Sequence, residues 1–339
     1  MQEQTVAKRA SAPETLKYLI LGMRPNQWVK NAFVLPGLIF AQQHLFTVPW
    51  ALGRIVAAFT LFCIVSGCVY LMNDLADIEQ DRLHPRKRLR PLPSGRLSPA
   101  LAKSAVVVLG LSALATPWII GSYLRARAAL DPVVASLASW DQLRVSYALG
   151  WFGLGAVLLA YFLLQVAYTF RLKHVVIVDL FCIAGGFVLR ALGGAIIIQV
   201  LIRPWWLMCV LFLSLFLGLG KRRNELIVLE EGAGNHRRIL QEYSPQLLDH
   251  LITIVVACTI LSYSFATFDA PSVPQTPFPM LMTTIPFMIY ALFRYLYLVY
   301  QKGQGGTPEE LLFKDRPFFF SIAGCALLVM AILLTFGGG

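Results

Sequence analysis

An all-α, polytopic membrane protein is the fold class this sequence predicts, and three observations predict it. Of its 339 residues, 57% are hydrophobic and only 14% charged, whereas a soluble domain carries about 25% charged residues. That leaves too few charges to cover a water-facing surface. The mean hydropathy is +0.66, which excludes disordered and fibrous classes as well. Finally, nine stretches are apolar over the length a spanning helix needs: 28–46, 51–72, 101–121, 147–170, 175–200, 204–219, 247–268, 279–300 and 317–336.

Residues 1–27 are polar and contain no apolar run of the kind a cleavable signal has. They read as a cytoplasmic segment ahead of a single transmembrane domain, 28–339. Lysine and arginine decide orientation. With the N-terminus inside, 21 of them fall on the cytoplasmic side and five on the other, namely Arg54, Arg125, Arg127, Arg144 and Arg203. The expected placement is therefore the cell (plasma) membrane, with the N-terminus cytoplasmic and the C-terminus outside. Topology then accounts for most of the net charge of +11, and no nucleic-acid partner is implied. The six cysteines lie in apolar stretches without CxxC spacing and read as buried thiols. Residues 122–146 read as an external insertion long enough for an interfacial helix. The proline-rich 270–278 loop reads as a rigid external turn. The oligomeric state stays open, a homo-oligomer included.

The cytoplasmic loops are dense in polar groups, so a site is expected to open there. The strongest feature is 73–96, NDLADIEQDRLHPRKRLRPLPSGR. Asn73, Asp77 and Asp81 are spaced i, i+4, i+8. If the second span continues as a helix for two more turns, they share one face. Stacked oxygen ligands at a membrane mouth call for a cation, and hard oxygens suit Mg²⁺, which bridges carboxylates to substrate phosphates. Pro85 ends the helix, and Arg86, Lys87, Arg88 and Arg90 follow as donors for anionic oxygens. A second cluster, GKRRNELIVLEE at 220–231, places Glu225 one turn from Lys221 and Arg222. A third, at 168–190, carries Lys173 at the mouth and Asp179 inside the fifth span, with Arg190 about three turns on and on the same face. Ionisable groups inside a membrane mark a site by default. Gly185, Gly186, Gly193 and Gly194 allow close helix packing. A fourth segment, MRPNQWVKN, brings Arg24, Lys30 and Asn31 to the cytoplasmic surface with Trp28 as an interface anchor. No Walker, GxSxG or HExxH motif is present.

Asn73-Asp74-x-x-Asp77-x-x-x-Asp81 at the end of the second of nine spans resembles the UbiA superfamily of intramembrane prenyltransferases. That resemblance implies an all-helical bundle around a central cavity open to the cytoplasm, with a diphosphate held there through Mg²⁺ and aspartates. Where the superfamily usually has a second aspartate-rich motif after span 6, this chain has KRRNE. With RPNQWVKN, LKHVVIVDLFCIAGGFVLRALGG, GKRRNEL and TPEELLFKDRPF in order over about residues 20–335, it is similar to the decaprenyl-phosphate phosphoribosyltransferase branch. The branch implies a glycosyltransferase that moves the 5-phosphoribosyl group of 5-phosphoribosyl 1-diphosphate to a polyprenyl phosphate, for cell-wall arabinan precursors. Asn73, Asp77 and Asp81 are then the metal and catalytic candidates. Arg86, Lys87, Lys221 and Arg222 are candidates for the donor phosphates, and Lys30 and Lys173 for the acceptor phosphate. Asn31, Asp179, Arg190 and Glu225 complete the substrate-binding set. The competing reading is a UbiA-type enzyme that prenylates an aromatic acceptor.

Overall fold

The computed structural model describes residues 12–39, 45–83, 85, 87–130, 138–201, 203–230, 242–270, 273, 278–303, 311–312 and 314–336. Among these there is no strand. The helices are α1 (Ala12–Gly22), α2 (Pro36–Ile39), α3 (Pro49–Ala76), α4 (Ile78–Leu83), α5 (Pro99–Leu130), α6 (Ala138–Phe170), α7 (Val178–Ile198), α8 (Pro204–Glu230), α9 (Pro245–Phe268), α10 (Ile285–Lys302) and α11 (Arg316–Phe336). Pro49, Pro99, Pro204 and Pro245 each open a helix, where the missing N–H is not needed and the fixed φ is already helical. Ser244 caps α9 by accepting from the Leu247 amide at 3.1 Å.

Among the described residues, eight helices are long and apolar enough to cross a membrane, against nine expected. They are α3 and α5 to α11, with the 3₁₀ turn Met280–Thr284 lengthening α10. The expected first span, 28–46, is instead a 3₁₀ turn over Pro25–Val34, the four-residue α2 and a second 3₁₀ turn, Leu45–Thr47; residues 40–44 lie outside the described set. Pro25, Pro36 and Pro49 punctuate this stretch, and proline removes a helix hydrogen bond and clashes with the preceding turn. The 122–146 segment also differs from expectation. α5 runs on to Leu130 and α6 starts at Ala138, so the bordering helices lengthen through it; residues 131–137 lie outside the described set.

The chain forms two compact units. The first comprises Met1–Ala32 and Ala57–Phe162. Its core of Met23, Leu71, Leu92, Leu97 and Ala102, with Tyr18, Trp28, Leu75 and Ile78 against it, lies at the end of α3 where the acidic motif begins. Away from that core, α5 exposes Val107, Val108, Leu111 and Ile119, the apolar outward face expected where lipid replaces water.

The second unit comprises Phe33–Val56 and Leu163–Gly339. Its core joins Leu180 of α7, Phe216 and Leu219 of α8, Leu248 and Ile252 of α9, Tyr295 of α10 and Phe318 of α11. Small residues let backbones close in. A Cβ on Gly194 would sit 2.0 Å from the Val34 carbonyl oxygen, and one on Gly37 would sit 3.0 Å from the Ala195 Cα. Gly194 of α7 and Gly37 thus admit the 33–39 segment directly against the helix. All six cysteines are free thiols, and four of them are buried.

Gly194→Ala is expected to destabilise the detergent-solubilised protein by about 1–3 kcal/mol through overpacking. Gly53→Ala, whose methyl would meet nothing within 4 Å, should not lower the midpoint. Parallel thermal unfolding of the two variants reads the difference.

Candidate active site

The acidic motif of the first unit is built on a bent helix. α3 ends at Ala76 and α4 starts at Ile78, yet the hydrogen-bond ladder runs through the bend. The Asp77 amide donates to the Asn73 carbonyl at 3.0 Å and the Asp81 amide to the Asp77 carbonyl at 2.8 Å. Residues seven apart therefore share a face. Asp74 and Asp81, 2% and 3% exposed, are bridged by one guanidinium. Arg90 Nη1 lies 3.1 Å from Asp74 Oδ1 and 2.7 Å from Asp81 Oδ2. Lys87 Nζ is 3.4 Å from the other Asp81 oxygen. Arg24 pairs with Asp74 as well, its guanidinium 4.9 Å from the Tyr70 ring centroid. Buried carboxylates are tolerated only when paired in this way.

Local sequence places those arginines. The turn after Arg90 is closed by Ser94 N–H to Arg90 O at 3.0 Å and Leu97 N–H to Pro91 O at 2.9 Å. Gly95 takes φ +75° within it, where a Cβ is disfavoured. Leu92 and Leu97 anchor that turn in the same core as Met23 and Leu71. Arg24 itself sits at φ +55°, uncommon for a residue with a side chain, just before Pro25.

The second unit carries its own buried ion cluster. Asp179, in the first turn of α7, is fully buried. One of its oxygens, Oδ2, accepts from Arg222 Nε at 3.1 Å and Nη2 at 2.7 Å. The other accepts from the Tyr243 hydroxyl at 3.0 Å. Arg222 donates onward to Glu225 at 2.9 Å, and Lys221 Nζ stands 4.0 Å from Glu225. On the next position of α8, Arg223 bonds Asp249 at 2.6 Å and lies 4.1 Å over the Tyr300 ring. Burial pushes the Tyr243 phenol up to about 12, so it is a proton donor across the physiological range.

The expected residues fall into three groups. Asp81 and Lys87 come together in the first unit, while Asn73 and Asp77 are half-buried on the same bent helix. Asp179, Arg222, Glu225 and Lys221 come together in the second, with Lys173 half-buried on the 3₁₀ turn Leu172–His174 that precedes α7. Three others are engaged elsewhere. Asn31 is buried and donates to Cys63 Sγ at 3.2 Å and Ser66 Oγ at 3.3 Å. Arg190 is not joined to Asp179; it donates to the Gly186 carbonyl at 2.9 Å and lies 5.2 Å from the Phe187 ring centroid. Lys30 is half-buried on the Pro25–Val34 turn. Arg86 lies outside the described residues.

A profile of the UbiA prenyltransferase family matches residues 31–130. A decaprenyl-phosphate phosphoribosyltransferase of Mycobacterium tuberculosis is 30% identical over 321 residues, 94% of this chain and 93% of that one. The chain belongs to the UbiA prenyltransferase family. The enzyme of the same name from Corynebacterium glutamicum is 29% identical over 96% of this chain and 90% of its own length. In fold, this UbiA chain is similar to a UbiA homologue from Archaeoglobus fulgidus solved with GPP and Mg²⁺, with a TM-score of 0.59 and 16% identity over 94% of this chain and 99% of that one. As a UbiA member over nearly the full length of these relatives, the chain is a membrane transferase.

Sequence reasoning named Arg90 among the donors for anionic oxygens and Arg24 in the MRPNQWVKN segment, but left both, with Asp74, out of the metal and substrate sets. The i, i+7 spacing of Asp74 and Asp81 was a usable signal for a shared face. The pairing of these arginines with Asp74 and Asp81 had no such signal, because tertiary packing chooses the partner.

Among the described residues, no group of three His, Cys, Asp or Glu side chains is placed to hold a metal ion unaided. The donor set of Asn73, Asp77 and Asp81 is nonetheless of the hard-oxygen type, one helical turn apart. That fits a Mg²⁺ which keeps waters and completes its shell with substrate phosphates. It does not make a closed protein cage.

Arg90→Ala leaves two buried carboxylates facing each other. It is expected to destabilise the protein by about 1–3 kcal/mol, with part of the loss recovered by Asp74→Asn in the same chain. Thermal midpoints at pH 7 for the single and double variants test this.

Proposed function

We propose that this chain transfers the 5-phosphoribosyl group from 5-phosphoribosyl 1-diphosphate to a polyprenyl phosphate, releasing diphosphate. The product, a polyprenyl-phosphoryl 5-phosphoribose, would feed cell-wall arabinan synthesis. The observation that carries this reading is the buried Arg222, held between Asp179 and Glu225 with Lys221 and Arg223 beside it in sequence. It stands where the superfamily usually has a second aspartate-rich motif. Positive groups there suit a substrate with more than one phosphate. The names of the relatives from Mycobacterium tuberculosis and Corynebacterium glutamicum support the same donor and acceptor. The excess of lysine and arginine on one side of the spans supports a plasma-membrane protein with a cytoplasmic N-terminus and a site on that face.

Departure of diphosphate from C1 places positive charge on the sugar and negative charge on the leaving group. Asn73, Asp77 and Asp81 would hold Mg²⁺, which when bound neutralises that developing negative charge. Lys87 and Arg90 already lie against Asp81 and are placed to take phosphate oxygens once the carboxylate turns to the ion. Arg222 and Lys221 would hold the remaining donor phosphate, with Asp179 and Glu225 fixing the Arg222 plane. The acceptor is a phosphate monoester and is anionic at neutral pH. It needs no general base, only its charge held in line, and Lys30 and Lys173 are the groups available for that. Attack opposite the leaving group inverts C1. The polyprenyl tail stays among the apolar helix faces, so no water-filled path is required for it.

In an assay of the purified full chain in lipid, 5-phosphoribosyl 1-diphosphate plus polyprenyl phosphate and Mg²⁺ is expected to yield diphosphate and lipid-linked phosphoribose in equal amounts. Turnover of a prenyl diphosphate with an aromatic acid, and none with the phosphoribosyl donor, would overturn the reading.

A further inference from the structure

The turn that leads into α7 is strained; the Asp179 amide closes it on the Val175 carbonyl at 3.1 Å, and a side-chain hydroxyl bonds its central residue. Ile177 has φ +68° and ψ −44°. The Val178 amide bonds back to the Val176 carbonyl at 2.8 Å, which makes a γ-turn of the rare positive-φ form. A β-branched residue is the least suited to that conformation, and glycine is the residue that adopts it freely. Packing of the Ile177 side chain does not explain the choice, since that side chain is 43% exposed. The Tyr243 hydroxyl accepts the Ile177 amide at 2.7 Å and donates to Asp179 Oδ1 at 3.0 Å. The Tyr243 ring is buried among Leu180, Leu226 and Leu248, directly before the capping Ser244 of α9. One oxygen therefore fixes the backbone of the turn and the carboxylate that orients Arg222. The 3₁₀ turn carrying Lys173 ends three residues before Ile177.

We propose that Tyr243 is a positioning residue for the transfer reaction. Its hydroxyl clamps the 175–179 turn in a strained form and, through Asp179, aims Arg222 at a phosphate of the donor. Strain of this kind persists only where surrounding structure enforces it and clusters at ligand clamps. The proposal rests on the reading that Arg222 binds donor phosphate.

The experiment uses the full chain in lipid, with 5-phosphoribosyl 1-diphosphate as the varied substrate. Tyr243→Phe keeps the ring and removes the hydroxyl. It is expected to raise the donor KM about tenfold while kcat stays within roughly threefold. It should also speed hydrogen exchange of the backbone amides over 175–179. Adding Ile177→Gly to Tyr243→Phe removes the conformational penalty and should return most of the lost affinity, a rescue that a purely structural tyrosine would not show. Arg222→Gln is run beside them. Wild-type KM and exchange in Tyr243→Phe, with Arg222→Gln impaired, would overturn the positioning role and leave the phosphate-binding role of Arg222 standing. A wild-type KM in Arg222→Gln would overturn that role and this proposal together.

Discussion

Charge held out of water is what the polar ends of this fold are organised around. Asp74, Asp81, Asp179 and Arg222 are each 3% exposed or less, and an unpaired buried ion carries a penalty of several kcal/mol. Each is met by an opposite charge, near in sequence for Asp81 and from a separate helix for Asp179. Asp74 takes Arg24 and Arg90, Asp81 takes Arg90 and Lys87, and Asp179 takes Arg222. These pairings let the helix ends fold beside apolar helices.

The two units solve the problem differently. In the first, one guanidinium is shared between two acids seven residues apart on a bent helix, and the turn that delivers it is pinned by Leu92, Leu97 and the left-handed Gly95. In the second, a single acid is saturated. Arg222 takes one oxygen of Asp179 and Tyr243 the other, so the carboxylate has little freedom left. Lys87 and Arg90 of the first cluster are half-buried, whereas Asp179 and Arg222 of the second are buried.

Much of this was legible in the sequence, for identifiable reasons. Five of the spanning helices, α3, α7, α9, α10 and α11, begin and end within a few residues of their apolar runs, because length and hydropathy fix a span. α5 and α8 start where expected but run on to Leu130 and Glu230, and α6 reaches back to Ala138. The first expected span is not one continuous helix, for a physical cause also written in the chain, although it leads from Arg24 beside Asp74 at the end of α3 to Pro49 at its start. Pro36 and Gly37 break it into short turns, and Gly194 of α7 admits them at backbone distance. The candidate site was half readable. Lys221, Arg222 and Glu225 are one turn apart and met as expected, since local spacing decides their contact. Spacing named no partner for Asp179, and packing brought Arg222 to it from the next helix. The positive φ of Arg24 and Ile177 and the reach of Tyr243 from beyond α8 leave no trace in spacing at all.

The most direct measurement is Mg²⁺-dependent transfer by Asp77→Asn and Asp81→Asn, made alongside their thermal midpoints. If these side chains grip the ion that neutralises departing diphosphate, both variants lose activity on the order of a thousandfold while the Asp77 variant unfolds where the parent does. Near-parental turnover of both in saturating Mg²⁺ would contradict the assignment of the metal to this bent helix.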